Sequence, residues 1–203
     1  MIISEISELD KKRSKVFIDG DFAFVLYNGE IKEYGIRTGK ELSENIYNEI
    51  KCGLLPKRAK LRAMNLLQKK DYTEMQLRNK LSEGMYPTDC VDTAIDYVKS
   101  FKYLDDSRYA YDYINYHMAQ RSKNRIVFDL MNKGIPKEII DEKLEEVYSD
   151  GGEDNEILQI KHLLIKKKYD PDTVDYKEKQ KIIAFLVRRG YGISTIKKAM
   201  DVE

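Results

Sequence analysis

The sequence predicts a mainly α-helical protein: tandem three-helix repeats in an elongated, curved array, preceded by a small three-stranded antiparallel unit built on a β-hairpin. Three observations predict it. Beyond Pro56, apolar residues recur at intervals of three and four, the spacing that places side chains on one helical face. Gly84, Gly134 and Gly190 close such stretches at intervals of about fifty residues. Aligning them sets Leu77, Val127 and Ile183 seven positions before each glycine, and Leu81, Met131 and Val187 three before, the mark of an internal repeat. Ahead of the repeats, Asp19-Gly20 separates two runs rich in strand-forming residues. Units this small bury little alone and stack on their neighbours, and the open surfaces that result suit binding better than catalysis.

Taken in order, Ile2 to Ile6 partly alternates apolar and polar residues, and Val16-Phe17-Ile18 and Phe22 to Tyr27 flank the Asp-Gly turn. Asn28-Gly29 is expected to close the sheet with another turn, and Gly35 and Gly39 to punctuate a loop. Ser43 is placed to cap a helix carrying Ile46 and Ile50. Pro56 is a favoured first helical residue, followed by Ala59, Ala63, Leu66 and Leu67 on one face. Thr73-Glu74-Met75-Gln76 reads as a capping box, and its helix carries Leu77 and Leu81 to Gly84, expected as the left-handed residue beyond the helix end.

Val91, Ala94, Ile95 and Val98 form the next stripe. A helix from Asp106, a second from Ser122 with Ile126, Leu130 and Met131, and a third after Pro136 complete the second repeat. That third helix carries Ile139, Ile140, Leu144 and Val147, with Lys143 the one charge on its apolar face. Ser149-Asp150-Gly151-Gly152 reads as a linker. The last repeat has Ile157, Ile160 and Leu164, a break at Tyr169 to Asp172, then Ile182, Ile183, Leu186 and Val187 before Gly190, and a short stripe from Ile193 to Met200. The expected division is 1–53 for the β-rich extension and 54–105, 106–150 and 151–203 for the repeats.

Composition narrows the function more by exclusion than by signal. In 203 residues Lys and Arg number 36 against 35 Asp and Glu. Residues 1–62 and 151–203 each carry a net +2, while 63–106 carry −2 and 107–150 −1. The ends are mildly basic. Cys52 and Cys90 form neither a CxxC motif nor a disulfide framework, which fits a reducing cytoplasm. The amino terminus lacks the pattern of a signal peptide, and no apolar run is long enough to span a membrane. His117 and His162 have no ligand-spaced partners, and Gly39-Lys40-Glu41 lacks the rest of a phosphate loop. The expectation is a monomer with no catalytic residue, no metal and no cofactor.

Two kinds of site remain. Tyr103-Leu104-Asp105-Asp106-Ser107-Arg108-Tyr109-Ala110 carries paired acids, but no His, Cys or third acid is spaced to join them in a metal or catalytic set. A helix start explains it better: a short carboxylate at Asp105 or Asp106 accepts backbone N–H bonds, and Arg108 lies three residues on. With Gly84, Gly134 and Gly190, this stretch is structural. The binding candidates are basic clusters: Lys57, Arg58, Lys60 and Arg62; Arg121, Lys123 and Arg125; and Lys166, Lys167, Lys168, Lys181, Arg188 and Arg189. Clustered cations bind phosphates by releasing counterions, and are otherwise solvated helix faces. The middle cluster lies at a helix N-terminus, where positive charge opposes the dipole and asks for a functional reason.

The stretch from Tyr103 to Ala110 resembles the signature that ends the first repeat of the RecX family, bacterial regulators of the RecA recombinase. Thr73 to Leu81, Met131-Asn132-Lys133-Gly134-Ile135 and Ile182 to Tyr191 resemble the family's other repeat motifs, and the hairpin at Asp19-Gly20 resembles an extension in members from Gram-positive bacteria. Ser122-Lys123-Asn124 departs from the pattern in lacking a glycine, and Gly192 stands where many members have a polar residue. The resemblance implies a non-enzymatic inhibitor lying in the groove of a RecA filament on single-stranded DNA, suppressing ATP hydrolysis, strand exchange and coprotease activity. The alternatives from the residues alone are an autonomous DNA-binding helical module, with single-stranded or duplex DNA as partner, and a general protein-interaction scaffold.

Overall fold

The computed structural model describes residues 1–149 and 152–200, with the side chains of 152–154 left aside. The chain divides into two compact units, Met1–Leu104 and Asp105 onward, so the division falls within the Tyr103 to Ala110 stretch.

In the first unit, strands β1 (Ile3–Asp10), β2 (Arg13–Ile18) and β3 (Asp21–Tyr27) form an antiparallel sheet in the order β1-β2-β3. Asp19 (φ 52°) and Gly20 (φ 97°) both take the positive φ that a tight hairpin turn requires. The register pairs Val16 with Phe24 and Ser14 with Leu26, placing the buried side chains opposite one another. β1 runs past Ile6 to Asp10, whose carboxylate accepts the N–H groups of Lys12 (2.9 Å) and Arg13 (3.0 Å) and closes a second turn. Asn28-Gly29 does not close the sheet with a turn; it opens helix α1 (Asn28–Glu33). The Glu30 carboxylate accepts the Tyr27 N–H at 2.7 Å there, which favours helix over turn.

Ser43 caps α2 (Glu44–Asn48), its hydroxyl accepting the Ile46 N–H. Pro56 does not begin a new helix as the sequence suggested. α2 continues through a π-helical segment, Glu49–Leu54, into α3 (Leu55–Leu67). Proline has no N–H and crowds the carbonyl four residues back; the wider turn, in which the Leu55 N–H reaches the Ile50 carbonyl, absorbs it. α4 (Glu74–Ser82) carries the expected capping box: Thr73 Oγ1 accepts from Gln76 N and Gln76 Oε1 accepts from Thr73 N. α5 (Thr88–Ser100) buries Val91, Ala94, Ile95 and Val98. One core joins sheet to helices, with Ile3, Phe24, Leu26, Ile50, Leu55, Leu77 and Ile95 all essentially inaccessible.

The second unit contains α6 (Asp106–His117), α7 (Lys123–Asn132), α8 (Lys137–Tyr148), α9 (Gly152–Lys166), α10 (Tyr176–Arg188) and α11 (Ile193–Ala199). Asp105 caps α6, accepting the backbone N–H groups of Ser107 and Arg108 at 3.0 Å each. Of the stretch read as a linker, Asp150 and Gly151 lie outside the described residues. Two apolar clusters form, one from α6 to α8 around Ile114, Ile126, Leu130 and Ile140, the other from α9 to α11 around Ile160, Leu186 and Ile196. Lys143 keeps its ammonium at the edge of the first, 3.0 Å from Glu142 and 2.8 Å from Glu146.

The repeat alignment needs a one-residue correction. Gly134 (φ 82°) and Gly190 (φ 92°) are left-handed caps, but in the first repeat that conformation falls on Met85 (φ 60°), not Gly84. The closing bonds agree: Tyr86 N to Leu81 O, Ile135 N to Leu130 O and Tyr191 N to Leu186 O, at 3.5, 3.2 and 3.3 Å. Counting from the left-handed residue, the buried pairs are Leu77 and Leu81, Ile126 and Leu130, Ile182 and Leu186. Val127 and Ile183 are only half-buried, while Met131 and Val187, which the glycine alignment had put on the core face, are exposed. Gly84 is a glycine for another reason: a Cβ there would sit 3.0 Å from both the Leu81 carbonyl oxygen and the Tyr86 ring. A side chain in the left-handed region costs about 1–2 kcal/mol. Met85→Gly is therefore expected to stabilise the first unit by about 1 kcal/mol after its greater unfolded-state entropy. The midpoint of urea unfolding, with unchanged slope, checks this.

Candidate functional site

The basic residues separate once placed. Arg58 is engaged inside the first unit: its guanidinium lies 3.0 Å from the Glu30 carboxylate, 3.3 Å from the Val25 carbonyl and 4.3 Å from the Tyr27 ring centroid. Lys57 and Arg62 are exposed, and Lys60 lies over Tyr97. In the second unit Lys181 pairs with Glu178 at 3.1 Å, and Lys166, Lys167 and Lys168 are exposed. Lys168 (φ 54°) takes the left-handed position that ends α9. Lys123 is held by its backbone, whose N–H donates to Glu156 at 2.6 Å, with its ammonium over Tyr148.

Arg121, Arg125, Arg188 and Arg189 come together. They line a recess of about 330 Å³ with Gln120, Ser122 and Tyr191. Arg121 and Arg125 flank the start of α7, and Arg188 and Arg189 stand at the end of α10. What joins these segments is a close fastening. Ser122, 1% exposed, uses its hydroxyl twice: Oγ accepts the Arg125 N–H as the α7 cap and donates to the Arg189 carbonyl at 2.7 Å. Asn124 Nδ2 donates to the Gly190 carbonyl at 3.0 Å. A Cβ on Gly190 would lie 2.6 Å from Ser122 Oγ, so the approach needs a residue without one. Nearby, Gln159 donates to the Met118 carbonyl at 2.6 Å and accepts from the Tyr191 hydroxyl at 2.9 Å.

The charge of the recess is unbalanced. Asp129 serves two guanidiniums, at 2.7 Å from Arg121 and 3.1 Å from Arg125. Tyr113 completes that corner, its hydroxyl accepting from Arg121 and donating to Asp129; burial and then the Asp129 charge raise its pKa. Arg189 lies 4.8 Å from the Phe185 ring centroid, with Lys167 at the same distance from that ring. Among the described residues no carboxylate is paired with Arg188 or Arg189. Like charges held this close repel, and an anion in the recess relieves them. Arginine suits the task because its planar fork matches phosphate and carboxylate oxygens.

Cys90 is buried, and burial chiefly pushes its thiol up to about 11, so little thiolate exists near neutrality. Among the described residues no group of three His, Cys, Asp or Glu is placed to hold a metal, and no helix is long and apolar enough to cross a membrane. His117 lies between the Tyr113 and Tyr116 rings, and burial lowers its pKa. Sequence reasoning named the four arginines but in two separate clusters, and it missed Gln120 and Ser122 as lining. No local sequence signal points to them, because the segments that meet are 67 positions apart.

Comparison with known proteins agrees with this architecture. Family models described as the first, second and third three-helix domains of RecX match residues 59–97, 105–144 and 156–200. A regulatory protein RecX of Caldanaerobacter subterraneus subsp. tengcongensis is 31% identical over 204 residues, covering 100% of both chains. One from Clostridium botulinum is 31% identical, covering 95% of this chain and 91% of its own. A crystal structure of a regulatory protein RecX has the same fold (TM-score 0.67, 23% identity, 98% of each chain). So does that of RecX from Lactobacillus salivarius (TM-score 0.62, 20% identity, 72% of this chain and 95% of the other). By full-length similarity and by the order of its three helical domains, this chain belongs to the RecX family of regulatory proteins.

Proposed function

We propose that the chain regulates a RecA-type recombinase, lying in the groove of the recombinase filament on single-stranded DNA and suppressing ATP hydrolysis, strand exchange and coprotease activity. The observation that carries this reading is full-length membership of a family of regulatory proteins. The arginine recess supports it, since both filament components offer anions: carboxylates on the protein and phosphates on the strand. Arg121, Arg125, Arg188 and Arg189 are the contacts favoured by geometry, with Lys167 beside them. Lys123, Lys166, Lys168 and Lys181 in the second unit and Lys57, Lys60 and Arg62 in the first are further candidates outside the recess, and Arg58 serves the first unit's own structure. The working units remain the extension 1–53 and the repeats 54–105, 106–150 and 151–203, acting in the cytoplasm as a monomer.

The test is a titration of single-stranded-DNA-dependent ATP hydrolysis by the cognate recombinase. Inhibition is expected at substoichiometric amounts, because one regulator bound in the filament groove would block more than one protomer. Unchanged hydrolysis at severalfold excess overturns the reading. The excess charge of the recess also favours a second reading, an autonomous DNA-binding module. That version requires tight binding without recombinase and a steep loss with salt.

A further inference from the structure

The end of α5, just ahead of the α6 cap at Asp105, carries exposed aromatic rings. Tyr97 and Phe101 are four residues apart on one helical face, with ring centroids 5.0 Å apart. Lys102 then takes a left-handed conformation (φ 56°), and the Tyr103 N–H returns to the Val98 carbonyl at 3.0 Å. This reversal brings Tyr103 back beside Phe101, their centroids 5.8 Å apart and their planes within 17°. Leu104, 3% exposed, anchors the turn in the core. The result is a continuous strip of three rings that are 36%, 54% and 48% exposed in the order Tyr97, Phe101, Tyr103. Packing within the unit does not account for leaving that much ring surface in water, and contiguous exposed apolar surface marks a contact.

The edges of the strip identify the contact. Lys60 holds its ammonium 5.1 Å from the Tyr97 centroid, and Lys57 is one turn earlier on α3. Lys99 and Lys102 flank Phe101 in the chain and are exposed. Acids are present too: Asp96 precedes Tyr97, Asp105 and Asp106 follow Tyr103, and Glu74 is held by Arg78 and Lys99 at 2.8 Å each, while Asp105 is occupied by the Ser107 and Arg108 N–H groups. Exposed rings bordered by lysines, with Phe101 and Tyr103 nearly parallel, match a strand whose bases are apolar π faces and whose backbone is anionic. A duplex hides its base faces inside the stack, so the match is to a single strand.

We propose that Tyr97, Phe101 and Tyr103 form a stacking platform for the bases of single-stranded nucleic acid, with Lys60 and Lys57 along the backbone. The inference does not rest on the recombinase reading, because the first unit makes this contact with the strand itself. It is tested without recombinase, by fluorescence anisotropy of the full chain with a labelled oligothymidylate and with an abasic strand of equal length, at low salt. The wild type is expected to bind the thymidylate roughly tenfold more tightly than the abasic strand, the worth of about one stacked base. Phe101→Ala is expected to bind both strands alike with an unchanged salt slope, and Phe101→Tyr to retain the preference. Phe101 is largely exposed, so the alanine variant keeps its fold, which its thermal transition verifies. Equal binding of both strands by the wild type, or no binding at all, assigns the rings to a protein contact and overturns the proposal. A Phe101→Ala variant that keeps the preference overturns it as well.

Discussion

Gly190→Val is expected to destabilise the second unit by about 3 kcal/mol or more, which for a unit of this size lowers its melting temperature by roughly 10–20 °C. Two effects combine. At φ 92° a β-branched residue is strained by about 1–2 kcal/mol. Its Cβ also meets Ser122 Oγ at 2.6 Å and the Arg125 nitrogen at 3.2 Å, and overpacking of this kind typically costs about 1–3 kcal/mol. The comparison with Met85 separates them, since that position has the same left-handed role with a side chain and no such neighbour. Strain alone is therefore tolerable, and the close approach decides.

A double-mutant cycle tests that division. Removing the hydroxyl in Ser122→Gly retains most of the capping preference but deletes both the obstacle and the bond to Arg189. Gly190→Ala should then be less damaging in the Ser122→Gly background than in the wild type, with a favourable coupling of about 1 kcal/mol. Strict additivity would show that backbone strain, not the Ser122 contact, sets the requirement at Gly190. Because Ser122 and Gly190 hold the two arginine pairs together, Gly190→Val is also expected to lower anion binding before the unit unfolds globally.

The parts of the fold that were legible in the sequence are those fixed by local chemistry. The Asp19-Gly20 turn, the Thr73 capping box and the Ser43 cap each depend on a few adjacent residues, and each is present as read; of the two acids offered at the start of α6, Asp105 is the cap. The stripe in the first repeat was legible too, since Leu77 and Leu81 are spaced for one face. What misled was the assumption that every left-handed cap is a glycine. Met85 takes that position, so aligning on Gly84 shifted the other repeats by one residue and exchanged buried Leu130 and Leu186 for exposed Met131 and Val187. Pro56 misled likewise, because a π-helical turn can carry a proline through a continuous helix. The arginine recess was legible only as residue types. Ser122 and Arg189 are 67 positions apart, and no local pattern says that they meet. The exposed rings at Tyr97, Phe101 and Tyr103 were hidden by the opposite problem, for aromatic residues at a helix end satisfy the same periodicity whether they face core or solvent.

Reversing charge at the recess, in Arg188→Glu with Arg189→Glu, is expected to weaken filament and DNA engagement by roughly tenfold or more, about 1.4 kcal/mol, while helical content is unchanged. Both side chains are exposed, and the bond that fastens this segment uses the Arg189 carbonyl, which the substitution retains. Among the described residues, the substitution removes the cation–π contact of Arg189 with Phe185, which at an exposed site contributes only about 0.5–1 kcal/mol. The functional effect is larger because a glutamate pair both deletes two donors and repels the incoming anion. Neutral Arg188→Gln with Arg189→Gln separates these causes, and should lose less than the reversal. If the ligand is the strand, the salt slope of binding falls by about 1.4, two phosphate contacts at about 0.7 each for single strands. If the ligand is a carboxylate surface of the recombinase, the DNA slope measured without recombinase stays constant and only the concentration for half-inhibition of ATP hydrolysis rises. Full inhibition by the glutamate variant, with circular dichroism matching the wild type, would remove Arg188 and Arg189 from the interface and leave the recess without a role in regulation.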